Sequence, residues 1–205
     1  KNSPLYELLS NAKSVCFTGD SLTEGTKNGG YGWYEPMMAS FPNVKVIKKA
    51  WGGSTSAVLL EHNEELANAA ADAYVVAIGT NDVRYRDSKI CAMDAQSFIK
   101  NVDTLRTAVL EKNKGAVFVF VAPWMSLDSD SVSKLATNEK NAMLAEYTAA
   151  LKKYCAGNAC LFIDPNPVLR KTLAREHNSE YLLDYIHPNT GKGIELYSSA
   201  VLSSR

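Results

Sequence analysis

The sequence predicts an α/β fold, a mainly parallel five-stranded sheet with helices on both faces, and three observations carry that prediction. Five short apolar runs, at residues 14–18, 44–47, 73–78, 116–122 and 159–163, have the length of strands and fall short of helices. Between them lie segments whose apolar residues recur at helical spacing, such as Phe98, Val102, Leu105 and Val109. The fourth run, Val117-Phe118-Val119-Phe120-Val121, is apolar on both faces, as a central parallel strand must be. Strands alternating with helices join through right-handed crossovers, which gives a three-layer sandwich.

Taken in order, Pro4-Leu5-Tyr6-Glu7-Leu8-Leu9 forms a short helix within residues 1–13, packed on the sheet edge. Residues 25–30 are turn-rich, and residues 29–34 are glycine-rich and aromatic. No Gly-Lys-Ser/Thr follows them, so their spacing fits no phosphate-binding loop, and Trp33 is expected in the core. A helix over 35–40 precedes the second strand, which has room to extend to Ala50. A helix over 56–71 carries Val58, Leu59, Leu66 and Ala70. After the third strand and a loop over 81–87 comes the helix at 93–112, ended by Gly115. A loop over 123–134 and a helix over 135–154 lead to the fifth strand. Asp164-Pro165-Asn166-Pro167 then breaks the chain before a short helix to about 176, and Asn189 caps a final helix to about 202.

At 205 residues the chain fits one domain, 1–205, with material for a substantial core. Apolar residues make up 46% and charged ones 21%, which excludes a disordered chain. Lys plus Arg and Asp plus Glu both number 22, so nothing points to nucleic acid or an anionic membrane surface as partner. No apolar run approaches the roughly 18 residues of a membrane span. The chain starts at Lys1, which is compatible with a removed leader or upstream domain, so neither compartment nor oligomeric state is legible. Four cysteines are too few for a disulfide scaffold. Cys16 falls in a core strand and is expected to be inert, whereas Cys155 and Cys160 flank a turn across which a disulfide is one option.

The chemistry is carried by four stretches. Phe17-Thr18-Gly19-Asp20-Ser21-Leu22 puts a serine just after a buried strand, where a sharp bend projects its hydroxyl from the carboxyl edge of the sheet. The same stretch also reads as a strand followed by an Asx-type turn with Ser21 as a cap. Ala50-Trp51-Gly52-Gly53-Ser54-Thr55 and Gly79-Thr80-Asn81-Asp82 follow the second and third strands, and Asp184-Tyr185-Ile186-His187-Pro188 lies near the C-terminus. Ester hydrolysis needs a nucleophile, a base that returns the proton to the leaving group, and donors for the oxyanion. Ser21 is the candidate nucleophile and His187 the candidate base, because imidazole changes charge between about pH 5 and 8. Asp184, three residues earlier, can hold the other ring nitrogen, although the pair also reads as an ordinary hydrogen-bonded turn. The candidate oxyanion donors are the Ser21 amide, the Gly53 amide and the Asn81 side chain. Glycine leaves room for the carbonyl, and asparagine gives a neutral N–H. His62 and His177 have no such acidic partner spacing and are expected on exposed helix faces. Asp20 and Asp82 are expected to point away from the chemistry and to accept backbone N–H bonds.

These four blocks, in this order from Thr18 to Pro188, resemble the SGNH (GDSL-type) esterase and lipase superfamily. Ser21, Gly53, Asn81 and His187 fall on its four name-giving positions, and Asp184 on its acidic one. The second block of that family often opens with asparagine, one residue, then glycine; here Lys48 and Ala50 stand in those places. The resemblance implies the flavodoxin-like strand order 2-1-3-4-5 and a serine esterase acting on a small acyl ester, in the first place acetyl on a carbohydrate or other polar molecule. It leaves open an O-acyltransferase using the same acyl-enzyme, a lysophospholipase or a thioesterase. A non-catalytic glycan-binding domain is the alternative of a different class. No cofactor or metal is expected, since no His/Cys cluster has ligand spacing. For the rest of the substrate, Arg84 and Arg86 in the loop after Asn81, with Trp51 and Trp124 at strand ends, are candidate contacts to a polar, acylated glycan.

Overall fold

The structure is a computed structural model and describes residues 3–83, 93–128, 135–174 and 178–204. Helix α1 (Pro4–Asn11) is capped by the Ser3 hydroxyl, which accepts from the Tyr6 N–H at 3.2 Å. Strand β1 (Ser14–Gly19) leads into the one-turn helix α2 (Ser21–Glu24) and then α3 (Glu35–Met38). Strand β2 (Lys45–Ala50), helices α4 (Ser56–Glu61) and α5 (Asn63–Asn68), and strand β3 (Ala73–Ala77) follow. Helix α6 (Ala95–Lys112), β4 (Val117–Val121), α7 (Thr137–Gly157), β5 (Leu161–Ile163), α8 (Asn166–Leu173) and α9 (Lys192–Ser203) complete the order.

All five strands are parallel and pair in the order β2-β1-β3-β4-β5, as the family resemblance implied. Alternation along the strands sorts their side chains onto two faces. Phe17, Val75, Val119 and Val121 join α1, α3, α8 and α9 in one core layer. Cys16, Tyr74, Val76, Phe118 and Phe120 join α4, α5, α6 and α7 in the other. Trp33 is fully buried in the first layer, edge-on to Phe17, with its indole N–H bonded to the Thr23 hydroxyl at 3.1 Å.

Two departures from the pattern-based expectation have a local reason. The helix expected over 56–71 is two helices, because the backbone leaves helical values at His62 (φ −93°, ψ 15°). The fifth strand starts at Leu161 and not at 159, because Ala159 takes a left-handed φ of 53° and the Cys160 N–H turns back to the Cys155 carbonyl at 3.2 Å. Cys155 and Cys160 are both free thiols, so the optional disulfide does not form. Burial raises the Cys155 thiol to about 12. The N-cap of the last helix is Gly191 and not Asn189 as expected, because the helix begins at Lys192; the Asn189 Oδ1 still accepts from the Gly193 N–H in its first turn at 2.9 Å.

The register brings the carboxyl ends of the strands level. Gly19 pairs with Ala50 of β2 and Ala77 of β3, Ala77 with Val121, and Val121 with Ile163. Every loop that follows a strand therefore leaves from one edge of the sheet, where open α/β sheets bind ligands.

Trp33 makes the core testable. Trp33→Ala is expected to cost about 3–5 kcal/mol of unfolding free energy, measured by urea denaturation. A loss under 1 kcal/mol would show that this layer is not close-packed.

Candidate active site

The candidate nucleophile Ser21 is the first residue of α2, and Asp20 is its N-cap. The Asp20 Oδ1 accepts from the Leu22 N–H at 3.0 Å, which starts the helix one residue after the strand bends. As the first residue of a helix, Ser21 has no intrahelical partner for its N–H. The bend is possible only with glycine at 19. A Cβ there would lie 2.1 Å from the Ala77 carbonyl oxygen of β3.

His187 and Asp184 sit in a turn before α9. The Asp184 Oδ1 accepts from the backbone N–H of Ile186 (3.0 Å) and of His187 (2.8 Å), and the Leu183 N–H bonds the His187 carbonyl at 2.8 Å. The same carboxylate lies 2.9 and 3.0 Å from the His187 Nδ1. Both sequence readings of this pair hold at once: a local turn and a held imidazole. The turn is fixed to the body by the Tyr197 hydroxyl, which donates to the Ile186 carbonyl at 2.7 Å, and by the Leu127 N–H to the Tyr185 carbonyl at 2.8 Å. His187 Nε2 then stands 2.8 Å from the Ser21 Oγ. Ser21, His187 and Asp184 thus form one hydrogen-bonded series, although Ser21 and His187 are 166 positions apart.

The two other candidate oxyanion residues leave the neighbouring strands. Residues Trp51–Ser54 form a tight turn closed by the Ser54 N–H to the Trp51 carbonyl at 3.2 Å, with Gly53 at φ 75° in its third position. That left-handed value favours glycine whatever its chemical role. The Asn81 Nδ2 donates to the Ser54 carbonyl at 3.0 Å, tying the end of β3 to this turn and leaving its second N–H for another acceptor.

The carboxylates around the site are treated in opposite ways. Burial disfavours ionisation of Asp184, but the hydrogen bonds from the His187 ring and from the His187 and Ile186 N–H groups outweigh it and hold the carboxyl well below the usual range. Asp20 and Asp82 are fully buried, and burial raises them to about 7 and about 6. Both accept backbone N–H bonds as expected; Asp82 takes that of Ser56 at 2.9 and 3.0 Å, together with the Ser56 hydroxyl. The Asp20 Oδ2 has no hydrogen-bond partner among the described residues.

Three expectations are corrected or fall outside the described residues. Trp124 does not face the cleft: it is 1% exposed and packs against Trp33 (5.6 Å) and Tyr197 (5.1 Å) as a core residue. His62 is not a solvent-facing helix residue without a partner. Its ring stacks on Trp51 at 3.8 Å, and its Nδ1 lies 3.0 Å from Glu65, an acidic neighbour three positions on that the sequence displayed. Trp51 consequently has one ring face covered. Arg84, Arg86 and His177 lie outside the described residues.

Sequence reasoning missed Lys48. Standing where the family often has asparagine, its ammonium reaches across the sheet edge to the carbonyls of Gly30 (2.8 Å) and Glu24 (3.2 Å), closing the loop after Ser21. Asn28 in that loop donates to the Pro188 carbonyl at 3.0 Å, so the loop also touches the segment that carries His187. No cluster of His, Cys, Asp and Glu among the described residues could hold a metal. A cavity of about 590 Å³ between α7 and β5 contains none of the candidate site residues. No helix among the described residues is long and apolar enough to cross a membrane.

The raised carboxyls set a pH dependence with a definite sign. Asp20 and Asp82 bind protons more tightly folded than unfolded, so stability from them is greatest below pH about 4 and falls as pH rises toward 7. Asp20→Asn keeps an acceptor for Leu22 but cannot ionise. Relative to wild type it is expected to gain stability between pH 5 and 7.5, on the order of 1–3 kcal/mol, by urea unfolding. An offset independent of pH would contradict the assignment.

Comparison with known proteins places these features in a family. No curated protein sequence matches the chain. Many solved structures share its fold. A member of the lipolytic protein G-D-S-L family from Veillonella parvula superposes with a TM-score of 0.73 at 21% identity, covering 92% of this chain and 96% of that one. A catalytic mutant of an acetylxylan esterase from Geobacillus stearothermophilus gives 0.68 at 19%, with 92% and 91% covered. An α/β hydrolase from the metagenome of Lake Arreo, Spain, gives 0.71 at 18%, with 92% of each covered. Residues 17–191, which span all four sequence blocks, match the family model of the GDSL-like lipases and acylhydrolases, and the chain belongs to that family.

Proposed function

We propose that the chain is a serine esterase that hydrolyses a small acyl ester, acetyl in the first place, on a carbohydrate or similarly polar alcohol. The observation that carries this reading is the hydrogen-bonded series Ser21–His187–Asp184, with 2.8 Å between Oγ and Nε2 and 2.9 Å between Nδ1 and the carboxylate. In the proposed reaction, His187 takes the Ser21 proton as Oγ attacks the ester carbonyl, and the C=O electrons collect on an oxyanion. The Ser21 N–H, the Gly53 N–H and the Asn81 Nδ2 stabilise that charge. Collapse of the intermediate expels the alcohol, which receives the proton from His187 and leaves an acyl-serine. A water molecule, deprotonated by His187, repeats the addition and releases the carboxylic acid. Asp184 stays ionised throughout, fixing the tautomer and favouring the imidazolium.

Acetyl on a sugar is supported by two points. One of the solved structures that share this fold is an acetylxylan esterase, which makes an acetyl ester on a carbohydrate the first substrate class to test. The stretch around Ser21, from Asp20 to Gly30, is rich in glycine and in polar residues that can hydrogen-bond a polar alcohol. Arg84 and Arg86 keep their proposed part as contacts to the distal portion of the substrate.

Ser21→Ala is expected to abolish hydrolysis of p-nitrophenyl acetate and labelling by a fluorophosphonate, with unchanged circular dichroism. Labelling that persists in the variant would remove Ser21 from its role. Asp184→Asn should lower kcat on the order of 10³–10⁴ with a small change in KM; a KM effect alone would make the aspartate a binding residue. Across acyl lengths, acetyl should be preferred over octanoyl, and efficient octanoyl hydrolysis would move the substrate toward lipids.

A further inference from the structure

Of the three strand ends at the site, that of β2 is an edge and has a neighbour on one side only. The Trp51 N–H still reaches the Gly19 carbonyl at 3.1 Å, and the chain then enters the Trp51–Ser54 turn. Side chains grip that turn from two directions. On one side, Glu24 and the hydrogen-bonded Thr26 lie against Gly52, where a Cβ would stand 2.7 Å from the Glu24 Oε2 and 2.8 Å from the Thr26 Oγ1. On the other side, the Trp51 indole lies flat on the His62 imidazole, 3.8 Å between centroids and 9° between planes.

His62 is placed for this contact in a way that an uninterrupted helix would not provide. It occupies the junction of α4 and α5, where the backbone departs from helical values although the apolar pattern runs on through it. Both freedoms of the ring are spent. Trp51 sets its plane, and the Glu65 Oε1 sets its rotation through Nδ1 at 3.0 Å. The other Glu65 oxygen lies 3.7 Å from the Lys49 Nζ on β2, two residues before Trp51. An exposed pair of this kind adds little to global stability. It does fix one edge of the turn against the helix pair.

We propose that His62 is a positioning residue: oriented by Glu65, it braces Trp51 and so holds the Gly53 N–H on the oxyanion as charge develops there. Trp51 on this view supports the turn and is not a platform for sugar. The inference rests on the reading of Gly53 as an oxyanion donor. Loss of a whole donor costs on the order of 10²–10³ in turnover, and a donor that drifts by a fraction of an ångström loses part of that.

The test compares wild type with His62→Ala, His62→Phe and Glu65→Ala on p-nitrophenyl acetate, each titrated with a fluorophosphonate to count competent Ser21. His62→Ala is expected to lower kcat about 10-fold, with KM within about twofold and thermal stability nearly unchanged. His62→Phe, which restores a flat ring without a proton, should recover turnover to within about threefold of wild type. Glu65→Ala should give a smaller loss in kcat, about threefold, and keeps the test decisive should His62→Ala fold poorly. Unchanged kcat in His62→Ala with normal labelling would overturn the inference alone. So would a loss confined to KM, which would make the stacked pair a wall of the substrate site, or a loss that phenylalanine does not recover. Wild-type protein unlabelled at Ser21 would overturn the acyl-enzyme reading and this inference together.

Discussion

The site depends on the flush, in-register pairing of β1 between β2 and β3. Parallel strands whose ends are level deliver three consecutive loops to one place, and the residues that follow Gly19, Ala50 and Ala77 become neighbours without contact between them in the sequence. The contact that enforces this is the approach of Gly19 to the Ala77 carbonyl, closer than any side chain permits. A larger residue at 19 would separate β1 from β3 and move Ser21 away from Asn81. Packing on both faces then makes the register rigid: Phe17 and Val75 are locked beneath one helical layer, Cys16 and Tyr74 beneath the other.

Within that frame, burial and hydrogen bonding divide the carboxylates into two sets. Asp184, partly exposed and given three N–H donors, is held as an anion beside the imidazole it orients. Asp20 and Asp82, closer to the backbone and out of water, hold protons up to about 7 and about 6 while shaping the starts of α2 and α4. The division keeps one negative charge beside the His187 imidazole and limits it beneath Ser21. It also explains why two aspartates adjacent to candidate catalytic residues have architectural positions: Asp20 caps α2, and Asp82 ties the end of β3 to the first residue of α4.

Much of this was legible in the sequence because it is local. Apolar runs gave the five strands, and the residues that follow them, Ser21, Gly53 and Asn81, inherit their positions from the parallel topology. Asp184 and His187 were legible because three residues of separation suffice for the turn that joins them. What escaped depends on partners distant in sequence. Trp124 follows a strand just as Ser21 and Asn81 do, yet Tyr197 of the last helix and Trp33 enclose it in the core. Lys48 reads as an exposed strand residue until the glycine-rich loop folds its Gly30 carbonyl onto the ammonium. The break at His62 has no proline or glycine to announce it; it is legible only with Trp51 lying opposite.

In the proposed reaction, acyl transfer passes through the Ser21 oxygen. Rapid acid quench of the protein during turnover of p-nitrophenyl acetate, followed by proteolysis and mass spectrometry, tests it most directly. An acetyl group is expected on the peptide that carries Ser21, accumulating further in a protein whose His187 is too slow to activate water. Steady hydrolysis with no acetyl on that peptide, or with acetyl on a different residue that turns over at the catalytic rate, would contradict it.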